Sequence, residues 1–141
     1  MMRIHEVSKN AYEILWHALN AAKPKTDEDF FQLATVRKLW KSHLIFEKRK
    51  MPGPNGELVD AELFKADFGG VIDVYLESPD FRYLERIFKE AREGGTFTAV
   101  GAEWVVEAIH AVKAAKELKP EELPAASGGN GTNRIAEVAA K

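Results

Sequence analysis

The first part of the chain carries apolar side chains at helical spacing. This pattern predicts a helix over residues 8–22. The apolar stripe of this helix consists of Val7, Ala11, Ile14, Leu15, Ala18, Leu19 and Ala22. Ser8 can cap the helix by accepting a hydrogen bond from a backbone N–H one turn later. Pro24 disfavours helical geometry at the residue before it, so the helix is expected to end there.

A second helix is predicted from Thr26, because Asp29 follows three residues later in an approximate capping box. Three carboxylates fall in its first turn, and residues 48–50 place three cations in its predicted last turn, as the helix dipole favours. Its buried face consists of Phe30, Leu33, Val36, Leu39, Trp40, Leu44 and Phe46. The link through Pro24 is short, so the two helices are expected to form an antiparallel hairpin. Residues 51–60, with two prolines, are expected to form an exposed loop.

A strand is predicted for Val71–Leu76, which is rich in β-formers and lies between Gly69-Gly70 and Ser78-Pro79. Pairing it with residues 62–68 through a three-residue turn creates a wholly apolar face, so a β-hairpin is expected here. A short helix at 60–67 is the alternative, because several residues of this segment favour helices.

Two further helices are predicted in the C-terminal half. Ser78-Pro79 starts the third, with Ser78 as its cap, and Gly94-Gly95 ends it. Residues 96–100 can extend briefly as a strand before a fourth helix from about Ala99 to Leu118.

The composition changes after residue 119, where a Gly/Ser/Asn-rich linker precedes a short helical pattern starting at Asn133. We therefore expect a globular domain over residues 1–119 and a flexible tail over 120–141. The fold class predicted for the domain is α+β and mainly α, with a helical hairpin and two further helices around a small β-hairpin.

Composition excludes several classes of protein. Of 141 residues, 20 are Lys or Arg and 22 are Asp or Glu, which excludes a wholly basic nucleic-acid coat. The absence of cysteine removes disulfides and thiolate chemistry. No apolar run approaches the ~18 residues of a membrane span, and the first residues lack the apolar core of a signal peptide, so a cytoplasmic protein is expected. The single glutamine and the missing cysteine favour a thermophilic source.

No catalytic motif occurs in the sequence, so we expect neither an enzyme nor a cofactor. The four histidines form no zinc helix, and the serines lie in no nucleophile elbow. Glu107 and His110 make one Glu-x-x-His pair, whereas a di-iron bundle needs two. A metal-binding helical protein that uses Glu103, Glu107 and His110 is kept as an alternative function, ranked below the two given at the end of this subsection.

Charge is segregated along the chain. From residue 37 to 50 there are six cations and one acid, which gives a net charge of +5. From residue 51 to 93 there are ten acids and five bases, which gives −5. A helix end with a solvated surface is the commoner explanation of such a segment, and the functional hypothesis is a docking face for an acidic protein, with Phe46 as its apolar anchor. Direct binding of nucleic acid is not expected, because no aromatic platform accompanies the cations. The predicted partner-binding residues are Arg37, Lys38, Lys41, Phe46, Lys48 and Arg49.

The three tryptophans, Trp16, Trp40 and Trp104, fall one in each of three predicted helices. All three are expected in the shared core. An exposed tryptophan would instead be an anchor for a partner, since tryptophan is enriched among binding hot spots.

The layout from residue 8 to 118 resembles small bacteriophage proteins, in particular the Thermus-phage regulators that bind host RNA polymerase. The resemblance rests on the helical hairpin, the loop near Pro52–Gly56, the strand Val71–Leu76 and the helix start at Ser78-Pro79-Asp80-Phe81. It implies inhibition of transcription initiation and antitermination, through the polymerase β flap and the promoter-recognition region of σ. We therefore interpret the chain as a phage-encoded, non-enzymatic regulator. A phage structural or assembly protein, such as a connector component or tail chaperone, is the first alternative.

Overall fold

The computed structural model describes residues 1–122. Within these residues four α-helices form, over Lys9–Ala21 (α1), Asp27–Lys41 (α2), Ser78–Glu93 (α3) and Ala102–Lys113 (α4). Five strands form, over Met2–Ser8 (β1), Leu44–Pro52 (β2), Leu58–Ala66 (β3), Val71–Leu76 (β4) and Lys116–Glu117 (β5). Helices take up 48% of the described residues and strands 27%, so the predicted α+β class, mainly α, is confirmed.

The predicted tail over 120–141 falls almost entirely outside the described residues. Of this segment the structure describes only Pro120–Glu122, which form a single 3₁₀ turn. The helical pattern that starts at Asn133 lies outside the described part. Within residues 1–122, no helix combines the length and the apolar character needed to cross a membrane.

The first two helices begin at the predicted caps. The Ser8 hydroxyl accepts a hydrogen bond from the Ala11 N–H, and the Thr26 hydroxyl accepts one from the Asp29 N–H, both at 3.1 Å. The antiparallel hairpin of α1 and α2 is not confirmed, because α1 packs more extensively against α4 and α3 than against α2.

Tyr12 and Trp40 join α1 to α2 in the core. The Tyr12 hydroxyl donates to the Trp40 carbonyl at 2.7 Å, and the Trp40 indole N–H donates to the Tyr12 carbonyl at 2.9 Å. The two rings stack with their centroids 4.7 Å apart, and both side chains are fully buried. Burial raises the pKa of Tyr12 well above its usual range. The polar atoms of two large aromatic side chains are thus satisfied inside the core.

Strand β1 lies at the centre of a three-stranded antiparallel sheet with the order β4-β1-β5. The hydrophobic pattern does not predict this strand, because a bulge interrupts its alternation. Register shifts between Ile4 and Val7, Glu6 adopts a positive φ of 50°, and the Glu6 N–H donates to the Asp73 carboxylate at 2.8 Å. Ile4 and Val7 are therefore both buried although they are three residues apart, which hides the period of two.

The second predicted helix is wrong beyond residue 41. Helix α2 ends at Lys41, and residues 44–52 form strand β2 instead. The spacing of Leu44 and Phe46 is two residues, which suits one face of a strand and not a helix. Backbone pairing with β3 stabilises the extended form, so the cations at 48–50 are not at a helix end.

The predicted hairpin of residues 62–68 with 71–76 is also wrong, as is the alternative helix at 60–67. The strand Val71–Leu76 is present, but it pairs with β1. Strand β3 pairs with β2 over nine residue pairs, which is a longer ladder than the predicted hairpin could form. The expected loop at 51–60 is thereby shortened, since β2 extends into it from one side and β3 from the other.

Ser78 is the first residue of α3 and makes no capping hydrogen bond. Its hydroxyl donates to the Glu117 carboxylate of β5 at 3.1 Å, so a tertiary contact replaces the predicted cap. The helix ends before Gly94, as predicted.

The fourth helix is shorter than predicted at both ends. Gly101 precedes it at a φ of +84°, a conformation that a helix interior does not accept. The helix therefore starts at Ala102, and residues 96–100 form bends and turns rather than a strand. After Lys113 the chain turns and pairs with β1 as strand β5.

Candidate functional site

Strands β2 and β3 form a long antiparallel ribbon, residues 44–66, which we call the arm. Leu44 and Ala66 at its base are buried, whereas every residue of β2 after Leu44 is exposed. No other strand within residues 1–122 pairs with this ribbon. Most of the arm therefore lies in solvent and contributes little to the core.

A groove of about 460 Å³ lies at the base of the arm, between α1, α2 and the two strands. We call it the arm groove. Its lining residues are Trp16, Asn20, Arg37, Lys41, Phe46, Glu62 and Phe64. They come from four different elements, so the folded chain assembles this groove from residues that are up to 48 positions apart, between Trp16 and Phe64.

Three aromatic side chains form the apolar wall of the arm groove. Phe46 and Phe64 are directly opposite each other across the ribbon. Trp16 meets both rings edge-on, with centroid distances of 5.9 Å to Phe46 and 6.3 Å to Phe64. Trp16 is buried, but 37% of Phe46 remains exposed. The buried Trp16 ring therefore holds the partly exposed Phe46 ring in place at the protein surface.

Two cations from α2 stand beside this wall. The Arg37 guanidinium lies 4.6 Å from the centre of the Trp16 ring and donates a hydrogen bond to the Asn20 side-chain oxygen. Lys41 follows one helical turn later on the same face and is exposed. No ion pair holds Lys41 within the part of the chain that the structure describes.

The structure brings together three of the six predicted partner-binding residues, namely Arg37, Lys41 and Phe46. Lys38 is exposed on α2 outside the groove.

The other two predicted residues lie farther along the arm. Lys48 is opposite Glu62 in the ribbon. Arg49 points to the other face of the ribbon, and its guanidinium contacts the Glu47 carboxylate at 2.5 Å. The basic segment at 37–50 therefore does not form one continuous basic face. It is split between a helix and a strand, and acids of the arm neutralise much of its charge.

The stretch predicted to be acidic contributes most of a second basic surface. A groove of about 750 Å³ between α3 and α4 has an apolar floor that includes Phe88 and Val112. Its cationic residues are Arg82, Arg86, Lys89, Arg92 and Lys113. Arg82, Arg86, Lys89 and Arg92 recur at helical spacing on one side of α3. This spacing is a sequence signal for the basic surface, which the net negative charge of residues 51–93 concealed.

Trp104 is not in the core, contrary to expectation. About 48% of its side chain is exposed, whereas Trp16 and Trp40 are buried as predicted. It lines a groove of about 220 Å³ together with His17, Val100 and other residues of α1 and of the segment before α4. We call this the Trp104 groove.

Within residues 1–122, no three His, Asp or Glu side chains are placed to hold a metal ion. Among the three residues of the alternative metal site, Glu103, Glu107 and His110, the Glu107 carboxylate already accepts a hydrogen bond from the Ser8 hydroxyl at 2.8 Å. The arm groove offers an exposed aromatic ring and cations for non-covalent docking.

No protein-family model, curated protein or solved structure shows a significant match to this chain.

Proposed function

We propose that the chain is a non-enzymatic regulator that binds an acidic surface of a partner protein through the arm groove. The observation that carries the proposal is the partly exposed Phe46 ring, which packs against Trp16 and is flanked by Arg37 and Lys41. Binding hot spots combine an aromatic anchor with surrounding residues that exclude water. Cations at the rim steer an acidic partner and accelerate association.

The partner that we propose is bacterial RNA polymerase. The part of the layout that the structure retains, the strand Val71–Leu76 followed by the helix that starts at Ser78, supports this choice through its resemblance to phage regulators, and the resemblance implies action at the β flap and the σ region. Binding there would alter transcription initiation and termination during host takeover, in the cytoplasm of the infected bacterium.

The charge contribution is tested by equilibrium binding of the purified chain to bacterial RNA polymerase holoenzyme at several salt concentrations. Lys41→Glu is expected to weaken binding about tenfold at low salt and to reduce the salt dependence. Lys38→Glu is the matched control, because both lysines are exposed in the last turn of α2 and only Lys41 lines the arm groove.

The control should bind within about twofold of the unaltered chain, since its charge lies outside the interface.

Transcription assays in vitro with the same proteins measure the regulatory effect. If the chain binds no polymerase and leaves transcription unchanged, the partner assignment is wrong. If both variants lose affinity equally, the effect is general charge and the arm groove is not the docking site.

A phage assembly protein is the second candidate, and the exposed apolar residues of the arm favour it. Ile45, Met51, Leu58 and Val59 are all at least 39% exposed. An isolated two-stranded ribbon is only marginally stable in water, so an assembly partner could cover it. Light scattering that shows a stable monomer, with the chain missing from virions and their assembly intermediates, would reject this candidate.

A further inference from the structure

The two edges of the arm differ in their capacity to accept another strand. The backbone hydrogen bonds between the two strands, at both ends of the arm, show which N–H and C=O groups face the partner strand and which point away from it. The Asp67 N–H donates to the His43 carbonyl at 2.8 Å, and the Gly53 N–H donates to the Glu57 carbonyl at 2.6 Å. Because bonded pairs alternate in an antiparallel ribbon, the even-numbered residues of β2 and β3 point their N–H and C=O groups away from the partner strand.

Ala66 confirms this alternation independently. Its outward N–H donates to the Glu13 carboxylate of α1 at 2.9 Å. The outward groups of the next four even-numbered residues along β3 have no hydrogen-bond partner within residues 1–122. These residues are Leu58, Asp60, Glu62 and Phe64.

The free edge of β2 is protected against strand addition. Lys48 and Lys50 occupy outward positions on this edge, and Pro52 lacks the donor that a new strand would need. Lysine and proline on an edge strand are common devices against edge-to-edge pairing. The edge of β3 has neither residue at its outward positions and carries the carboxylates of Asp60 and Glu62 instead, of which Asp60 also pairs with Lys50 of β2 at 2.6 Å and stays 79% exposed.

The Trp104 groove lies next to the base of the β3 edge. Glu13 lines this groove and also holds the Ala66 N–H. His17 lines it too, and its ring lies 5.0 Å from the Phe64 ring between centroids. Beside them, Trp104 is half-exposed and Val100 is 91% exposed. A chain that leaves the β3 edge at Phe64 therefore meets a groove of mixed polarity in which Trp104 and Val100 are exposed apolar side chains.

We propose that the β3 edge binds an extended segment of a partner protein that has cations at alternate positions and an apolar residue at one end. The segment adds as a third strand beside β3. Its cations lie opposite Asp60 and Glu62, which are two residues apart on one face. Its apolar residue enters the Trp104 groove, and main-chain hydrogen bonds to Leu58–Phe64 supply the pairing. This surface shares Glu62 and Phe64 with the arm groove but differs from it in the charge of the partner that it binds.

The probe is a displayed library of random dodecapeptides selected on the full chain. We expect the selected peptides to carry Lys or Arg at every second position and an apolar residue at one end. On addition of the most enriched peptide, synthesised and free in solution, amide hydrogen exchange should slow at Asp60, Glu62 and Phe64. Failure to enrich any peptide, or enrichment without alternating cations, would overturn the proposal.

Two proline variants give a matched test by fluorescence anisotropy with that peptide. Asp60 and Lys50 are opposite each other and form one ion pair at 2.6 Å, so either substitution removes the same ion pair. Proline at either position removes an outward N–H and preserves the ladder donors between β2 and β3. Asp60→Pro should weaken peptide binding about tenfold, and Lys50→Pro should leave it within about twofold.

Equal effects of the two variants on the affinity for the peptide would contradict binding at the β3 edge. A second copy of the chain, with its basic β2 against the acidic β3, is the competing occupant. Light scattering distinguishes it, because self-association would be lost in both Asp60→Pro and Lys50→Pro. That result would replace the partner segment with a homo-oligomer.

Discussion

The core around α1 and the arm use aromatic residues in opposite ways. Tyr12 and Trp40 are fully buried, stacked and joined by two hydrogen bonds, so all of their surface stabilises the fold. Phe46 also contacts a buried tryptophan, yet it keeps 37% of its surface exposed. The same residue class thus stabilises the core in one region and stays partly exposed in the other, where we propose a docking surface.

Because of this difference, substitutions in the core and in the arm should change different properties of the protein. Core substitutions should lower the free energy of unfolding, whereas arm substitutions should change binding and leave the fold nearly intact. The arm contacts the core at its base, where Leu44 and Ala66 are buried and the rings of Phe46 and Phe64 pack against Trp16. Loss of side chains farther along the arm creates no cavity.

The largest effect is expected for Trp40→Ala. Truncation of this fully buried side chain should lower the free energy of unfolding by about 3–5 kcal/mol. Urea denaturation followed by circular dichroism measures it. Trp104→Ala is the control, because the side chain is half-exposed and should cost about 1 kcal/mol or less. Equal losses would contradict the assignment of the two tryptophans to core and surface.

Tyr12→Phe should have an intermediate effect of about 1–2 kcal/mol at neutral pH, because it removes one buried hydrogen bond. Burial raises the pKa of Tyr12, so this tyrosine stays neutral in the folded chain when the unfolded chain ionises near pH ~10. Stability should therefore fall as pH rises above about 10, and Tyr12→Phe should reduce that slope. An unchanged slope would show that Tyr12 does not contribute. Some slope should persist, because burial raises the pKa of Tyr83 as well.

The smallest effect is expected for Lys50→Ala on the arm. Lys50 contacts Asp60 at 2.6 Å, but both side chains are more than 60% exposed. Exposed ion pairs contribute between about 0 and 1 kcal/mol, so thermal unfolding should change little. A loss comparable to that of Tyr12→Phe would mean that the arm is part of the cooperative core.

Two of the three helix caps predicted within residues 1–122 were readable from the sequence because they depend on local residues, whereas Ser78 instead contacts Glu117. Ser8 and Thr26 cap α1 and α2 as their side-chain chemistry predicts. The end of α2 was not readable in the same way, since Leu44–Pro52 becomes a strand only when β3 supplies its backbone partners. Strand β1 escaped prediction because the bulge at Glu6 breaks its alternation.

The candidate site was predictable only in part, for the same reason. Arg37 and Lys41 share a helix face, so their proximity follows from helical spacing. Trp16 and Phe64 join them through tertiary packing that no local pattern encodes. Lys48 and Arg49 were placed with them on a helix, and the alternation of β2 sends these two side chains to opposite faces of the ribbon.

The central claim is that the Phe46 face of the arm base is a docking surface, and two neighbouring alanine variants test it most directly. Phe46 and Ile45 are adjacent on β2, are 37% and 41% exposed, and point to opposite faces. The affinity of the Phe46→Ala and Ile45→Ala variants for bacterial RNA polymerase holoenzyme should be measured together with the melting temperature of each variant. We predict that Phe46→Ala weakens binding by about tenfold or more and that Ile45→Ala stays within about twofold. Equal affinity of the two variants, with both folded, would contradict the claim.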